Sequence, residues 1–125
     1  MRAVIAGAIT ERSSGGQPES EGSGANDDES GLEDALVAQG IDVARIDGLA
    51  DREALENAGI DEADVYAITD VVQATSIPVA RERNEGLRIV VYTRDSLPEF
   101  ARPLADLIVD PDLLGPDAVA DGLGD

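Results

Sequence analysis

Hydrophobic residues in this chain fall into five short runs: residues 2–7 (RAVIAG), 41–47 (IDVARID), 64–68 (DVYAI), 87–92 (LRIVVY) and 105–109 (ADLIV). Each is five to seven residues long and ends at or before Gly, Asp, Thr-Asp or Thr-Arg-Asp, which is strand length with a turn signal behind it. The run at Val65–Ile68 has no polar position on either face, so a strand there needs cover from both sides. A parallel sheet between two layers of helices provides that cover. The intervening segments follow a helical period instead, with Leu32, Ala35 and Leu36 on one stripe and Leu55 and Ala58 on another. Five strands alternating with helices, joined by right-handed crossovers, predict one α/β domain with a doubly wound, five-stranded parallel sheet over residues 1–125.

Local signals mark the element ends. Ser30-Gly31-Leu32-Glu33 fits a capping box for a helix running to Gln39, with Gly40 just past its end. Asp51 is placed to cap a short helix over 52–58 that Gly59 terminates. Asp70 is a candidate cap after the third strand, with Gln73 at the third helical position. Pro78 lies too deep for that start, so it either kinks the helix or moves its beginning to Thr75. Ser96–Arg102 reads as a short helix or turn, and Pro116 opens a weak last helix ending at Gly122. One stretch fits no element. Residues 10–31 carry no Val, Leu, Ile or aromatic, and their six acids against one base leave a net charge of −5. Such a stretch buries nothing to offset its ordering entropy, so a disordered acidic insertion is expected at about 10–30.

Charge then narrows the function classes. Twenty-seven acidic residues face nine basic ones, all arginine, for a net charge of −18. Self-repulsion on this scale destabilises a compact chain, but at about 1 M salt the Debye length shrinks to roughly 3 Å and most of it is screened. A cytoplasmic protein of an extreme halophile is the expected setting, an acidic mesophilic protein the alternative. Nucleic acid and anionic membrane are not expected as partners, because no basic patch meets their phosphates. No window is apolar for 18 residues and no signal peptide is apparent, so no direct membrane insertion is expected. Without Cys, His or Lys, the chain has no thiolate nucleophile, no imidazole base and no Schiff-base or phosphate-binding lysine.

From Gly31 onward the sequence resembles the N-terminal NAD-binding domain of the TrkA/RCK family of potassium-transport regulators. The resemblance is carried by Leu55–Ile60 (LENAGI), Glu62–Thr69 (EADVYAIT), Ala80–Glu82, Val90–Asp95 (VVYTRD) and Ala105–Pro111 (ADLIVDP). The whole chain also resembles small haloarchaeal proteins of unknown function that share the phrases around TDV, ATSIPVA and YTRDSLPEFA. Some of those bear a CTP synthetase label. The absence of Cys and Lys and the short chain give that label no support. The resemblance implies a Rossmann- or flavodoxin-like fold, and with a single strand between the first two helices the strand order becomes 2-1-3-4-5. It also implies a site for NAD or another adenine nucleotide. The family's Gly-x-Gly-x-x-Gly loop is broken here, its place after the first strand taken by the acidic segment. The asparagine that many members carry after the third strand falls at Thr75.

Candidate site residues follow from the carboxyl ends of the strands, where such sheets bind ligands. Gly7 could cradle a phosphate or simply end its strand. Asp47 could accept ribose hydroxyls: it lies 40 residues after Gly7, or 18 without the 22-residue segment, near the usual ~20. It could equally be one solvated acid among many. Thr69 and Asp70 could contact a base, a ribose or a cation, with helix capping as the plainer role. Arg94 could meet an anion or pair locally with Asp95. A phosphoryl-receiver domain would share this strand order, and Asp70 and Thr93 match its pattern; the missing acid pair and lysine do not. Phe100, the only phenylalanine, could dock on the sheet edge or face a partner. The expected function is a non-enzymatic binding or regulatory module with a degenerate nucleotide site. An NAD-binding regulator and a carboxylate-based nucleotide enzyme are the alternatives. A homodimer is the expected assembly.

Overall fold

The computed structural model describes residues 1–7, 27–46 and 48–124. Five parallel strands form one sheet: β1 (Arg2–Ala6), β2 (Asp42–Ile46), β3 (Val65–Ile68), β4 (Arg88–Tyr92) and β5 (Leu107–Val109), in the order β2-β1-β3-β4-β5. This is the doubly wound α/β arrangement. β1 pairs in register with β2 on one side (Val4 beside Ala44) and β3 on the other (Val4 beside Tyr66), so the chain reverses its winding between β1 and β3.

Helices α1 (Asp27–Ala38) and α4 (Pro116–Gly124) cover one face. Helices α2 (Arg52–Ala58) and α3 (Ser76–Arg83) cover the other. The alternation within each central strand explains the two cores. Ala3, Ile5, Val65, Ala67, Val90 and Tyr92 meet Leu32, Leu36, Val119 and Leu123. Val4, Ala6, Tyr66, Ile68, Ile89 and Val91 meet Leu55, Ile77 and Leu97. The largest fully buried side chains are the two tyrosines. Tyr66 keeps its hydroxyl partnered by Ser76 Oγ at 2.7 Å, while Ser76 Oγ donates to the Gln73 carbonyl. Burial pushes the Tyr66 hydroxyl well above its ordinary pKa, which the Ser76 contact only moderates.

Most of the expected element ends hold. Asp51 Oδ1 accepts from the Ala54 N–H at 2.9 Å, and Gly59 closes α2 with φ of 85°. Gly40 follows α1 with φ of 82°. One expected start differs, while of the alternatives at Pro78 and at 96–102 the later helix start and the turn are the ones that hold. α1 begins at Asp27, so Ser30 and Gly31 lie inside the helix and Ser30 is not its cap. Gly31 passes close to Pro116 of α4, where a Cβ would stand in ordinary contact, 3.4 Å from the proline ring. The rest of the expected disordered insertion, residues 10–26, lies outside the described residues. After β3 the chain makes a 3-10 turn (Val71–Gln73) before α3 starts at Ser76, which places Pro78 in the first helical turn, where its missing N–H costs little. Between β4 and β5 no α-helix forms; a turn and a short 3-10 segment (Arg102–Leu104) replace it. Phe100 does not dock there: it is half-exposed, and Leu97 fills the core instead.

Charged side chains brace the amino-terminal edge of the sheet. Arg81 donates to the carbonyls of Glu85, Leu87 and Leu104 and to Asp106 Oδ2 at 2.8 Å. Asp106 Oδ2 also accepts from the Ile89 N–H. Partial burial pushes the Asp106 carboxyl up, but the Ile89 N–H and the Arg81 guanidinium outweigh it and hold the group below the usual carboxylate range. Asn84 Nδ2 reaches the carbonyls of Ile60 and Ala63. Among the described residues no helix is long and apolar enough to cross a membrane.

Candidate functional site

The switch between β1 and β3 opens at their carboxyl ends, the position where doubly wound sheets hold ligands. Gly7 follows β1 there, and Thr69 and Asp70 follow β3. The Thr69 N–H donates to the Ala6 carbonyl at 3.0 Å, so these three predicted residues are neighbours. Asp47 lies outside the described residues. Arg94 sits after β4, one strand further along, and its Nε donates to Asp112 Oδ1 at 3.0 Å beyond β5. Asp70 has a local task as well: its Oδ1 accepts from the Val72 N–H at 3.0 Å and caps the 3-10 turn. Thr75 is exposed and makes no side-chain cap to α3.

What fills the corner is Gln73, which the sequence reading treats only as a helix position. The 3-10 turn swings its side chain back over the strand ends, where it is 0 % exposed. Nε2 donates to the Gly7 carbonyl at 2.9 Å and the Gly48 carbonyl at 3.0 Å. Oε1 accepts from the Ala50 N–H at 3.0 Å. One amide thus satisfies backbone groups at the end of β1 and in the β2–α2 loop. Both its donor hydrogens and one acceptor lone pair are engaged. The available signal for this is weak: one uncharged polar residue in the stretch Val71-Val72-Gln73-Ala74.

Among the described residues Thr69 is the one buried polar side chain without a partner; it is 2 % exposed and its Oγ1 makes no hydrogen bond to any of them. The other buried polar residues among them are Gln73, Ser76 and Thr93. No described carboxylate is buried. The receiver pattern also resolves into structure. Asp70 and Thr93 follow adjacent strands, but the residue after β5 is Asp110, whose Oδ1 accepts from the Asp112 N–H at 2.8 Å. A carboxylate therefore stands where a phosphoryl group would need a cation. Among the described residues no group of three or more acids is arranged to hold a metal ion.

The chain belongs to the family described as "Family of unknown function (DUF7126)", whose model matches residues 24–123. Two solved structures from Burkholderia share its fold. One, from B. thailandensis E264, is described as a pilus assembly protein (CpaE); it is 18% identical, with a TM-score of 0.59 over 98% of this chain and 93% of that one. The other, from B. pseudomallei K96243, is described as pilus assembly-related; it is 19% identical, with a TM-score of 0.58 over 98% of this chain and 85% of that one. No curated protein matches the sequence.

Proposed function

We propose that this member of a family of unknown function is a non-enzymatic binding or regulatory module of Rossmann-like architecture whose nucleotide crevice has degenerated. Gln73 carries the reading. Its amide meets the Gly7 and Gly48 carbonyls and the Ala50 N–H, so an incoming ribose or phosphate would have to displace three hydrogen bonds. The acidic composition of residues 10–31 adds repulsion toward a pyrophosphate. Calorimetry in about 2–3 M KCl, where surface charge is screened, tests it with NAD, NADH, ATP, AMP and cyclic dinucleotides. Absence of heat across the panel supports the proposal; micromolar binding refutes it.

One observation favours the NAD- or nucleotide-binding alternative. The unpartnered Thr69 hydroxyl lies at the β3 end, and buried polar groups ordinarily find partners. Under that reading Gly7, Asp47, Thr69, Asp70 and Arg94 line the crevice, and binding in the calorimeter would be lost in Thr69→Val. A nucleotide enzyme would need a carboxylate of raised pKa, and the exposed or capping acids at the β3 and β4 ends favour none. The setting we propose is the cytoplasm of a halophile. Unfolding in about 0.1 M and 3 M KCl should then differ by several kcal/mol in favour of high salt, and equal stability would refute the halophilic part.

A further inference from the structure

The far edge of the sheet carries an interaction surface. We infer that β5 is the homodimerisation edge: two copies pair their β5 strands antiparallel about a twofold axis at Ile108. The inference concerns the edge away from the β1–β3 crevice and holds whether or not that crevice takes a nucleotide.

Strands of a parallel sheet are ordinarily covered on both faces, and β5 is not. Leu107 is 40% exposed on the α4 side and Ile108 is 48% exposed on the other, where the turn between β4 and β5 stands in for a helix. Leu113, just past the strand, is 82% exposed. Between β5 and α4 runs a groove of about 330 Å³ walled by Leu107, Leu114, Val119 and Leu123, with Arg88 at its lower end. In a chain of net charge −18, this mainly apolar band, whose only charged lining residues are Arg88 and Asp106, is where two copies can approach with least opposition of like charges. The opposite edge is guarded: β2 presents Asp42 and Arg45 to solvent, as edge strands that avoid pairing do.

The charges around β5 fit a second copy of this chain. Arg88 makes no ion pair or side-chain hydrogen bond among the described residues, only a long-range pull on Asp106. Its strand position places it beside Ala105, two residues before the Val90–Leu107 pair. In the antiparallel arrangement Leu107 faces the second copy's Val109, and Ala105 faces its Pro111, within the acidic turn Asp110–Asp112. Each copy's Arg88 thus stands toward the other's acidic turn, about 10 Å or two strand spacings away, where Asp112 already pairs with Arg94 and Asp110 is the acid it would meet. Asp106, which faces the second copy's Asp110, is already neutralised by Arg81 at 2.8 Å. Pro111 offers no N–H and limits pairing to the short strand. Because the same patch serves both copies, the contact closes at two chains.

Sedimentation equilibrium of the full chain in about 2 M KCl, over a concentration series, tests this. The expected mass is that of two chains of 13.0 kDa each. One-chain mass up to about 300 µM overturns the inference, as does any species larger than a dimer. Ile108→Lys should weaken the dimer at least tenfold while leaving the circular dichroism melt in place; an unchanged dimer overturns it. The natural chain has no cysteine, so a single introduced thiol reports the geometry. Directly opposed residues in antiparallel strands bring Cα atoms to about 4.5–5.5 Å, within disulfide reach. Ile108→Cys should oxidise rapidly to a covalent dimer, and the exposed α1 control Val37→Cys should not. Equal oxidation of the two, or none of Ile108→Cys, excludes the twofold at Ile108.

Discussion

Replacing Gln73 with leucine keeps most of the side-chain volume and removes every hydrogen bond the amide makes, so it isolates the polar contribution of the crevice plug. Three backbone groups lose their partner: the carbonyls of Gly7 and Gly48 and the N–H of Ala50. Two of the three bonds are fully buried; the one to Gly48 is partly buried and open to replacement by water. Leaving a buried backbone group unsatisfied costs about 1–3 kcal/mol, so two such groups set an expected loss of about 2–6 kcal/mol, with about 3 as the working figure. For a chain of 125 residues that corresponds to a fall in Tm of roughly 12 °C. Urea unfolding followed by circular dichroism measures the loss, with an unchanged m-value showing that the same surface is exposed. Gln73→Glu sharpens the test. Its carboxylate would face two carbonyls in a dry corner, which raises its folded-state pKa. Its stability should therefore be best at low pH, where the group is protonated and can donate, and fall as pH rises through that value. A Gln73→Leu loss below about 1 kcal/mol would refute the argument that this amide holds the strand ends together.

Gly59→Ala should cost about 1–2 kcal/mol in the same urea assay, because φ is 85° there and the new Cβ would stand 3.0 Å from Arg2 Nη1. Asn84→Ala should cost about 1–2 kcal/mol, since it frees the Ile60 and Ala63 carbonyls that close the turn after α2. Asp106→Asn should remove a pH-dependent increment. The folded pKa of Asp106 is lowered, so its contribution is present above about pH 4 and lost as pH falls through the folded value. The stability gap between the natural chain and Asp106→Asn should therefore narrow on acidification; with a half-exposed carboxylate it stays below about 1 kcal/mol at neutral pH. A gap that widens toward acid would contradict the direction of that shift.

The strand core of this protein is legible in its sequence, for a physical reason. Runs such as 65–68 and 89–92 are apolar on both faces, and a parallel sheet between helices buries both. Asp51 and Gly59 are equally legible, because capping and left-handed φ are local chemistry. Asp70 and Asp110 share this local chemistry: each stands one or two residues beyond a strand and accepts the N–H two residues further on.

Tertiary structure alone decides the rest. Ser30 and Gly31 carry a good start signal yet lie within α1, because packing against Pro116 of α4 supports the earlier turn. Phe100 lies in the turn that takes the place of a fourth crossover helix, so it remains at the surface, and β5 is left half-covered. The plug is the clearest case. Gln73 meets residues 66 and 25 positions away, Gly7 and Gly48, as well as Ala50. Nothing in Val71-Val72-Gln73-Ala74 encodes those partners; the strand order 2-1-3-4-5 brings them to one corner. By itself the sequence determines the parallel strands and so the switch in winding between β1 and β3. That the Gln73 amide bonds the backbone at that corner depends on which loops the fold sets beside it, since a buried amide is defined by the backbone groups around it rather than by its neighbours in the chain.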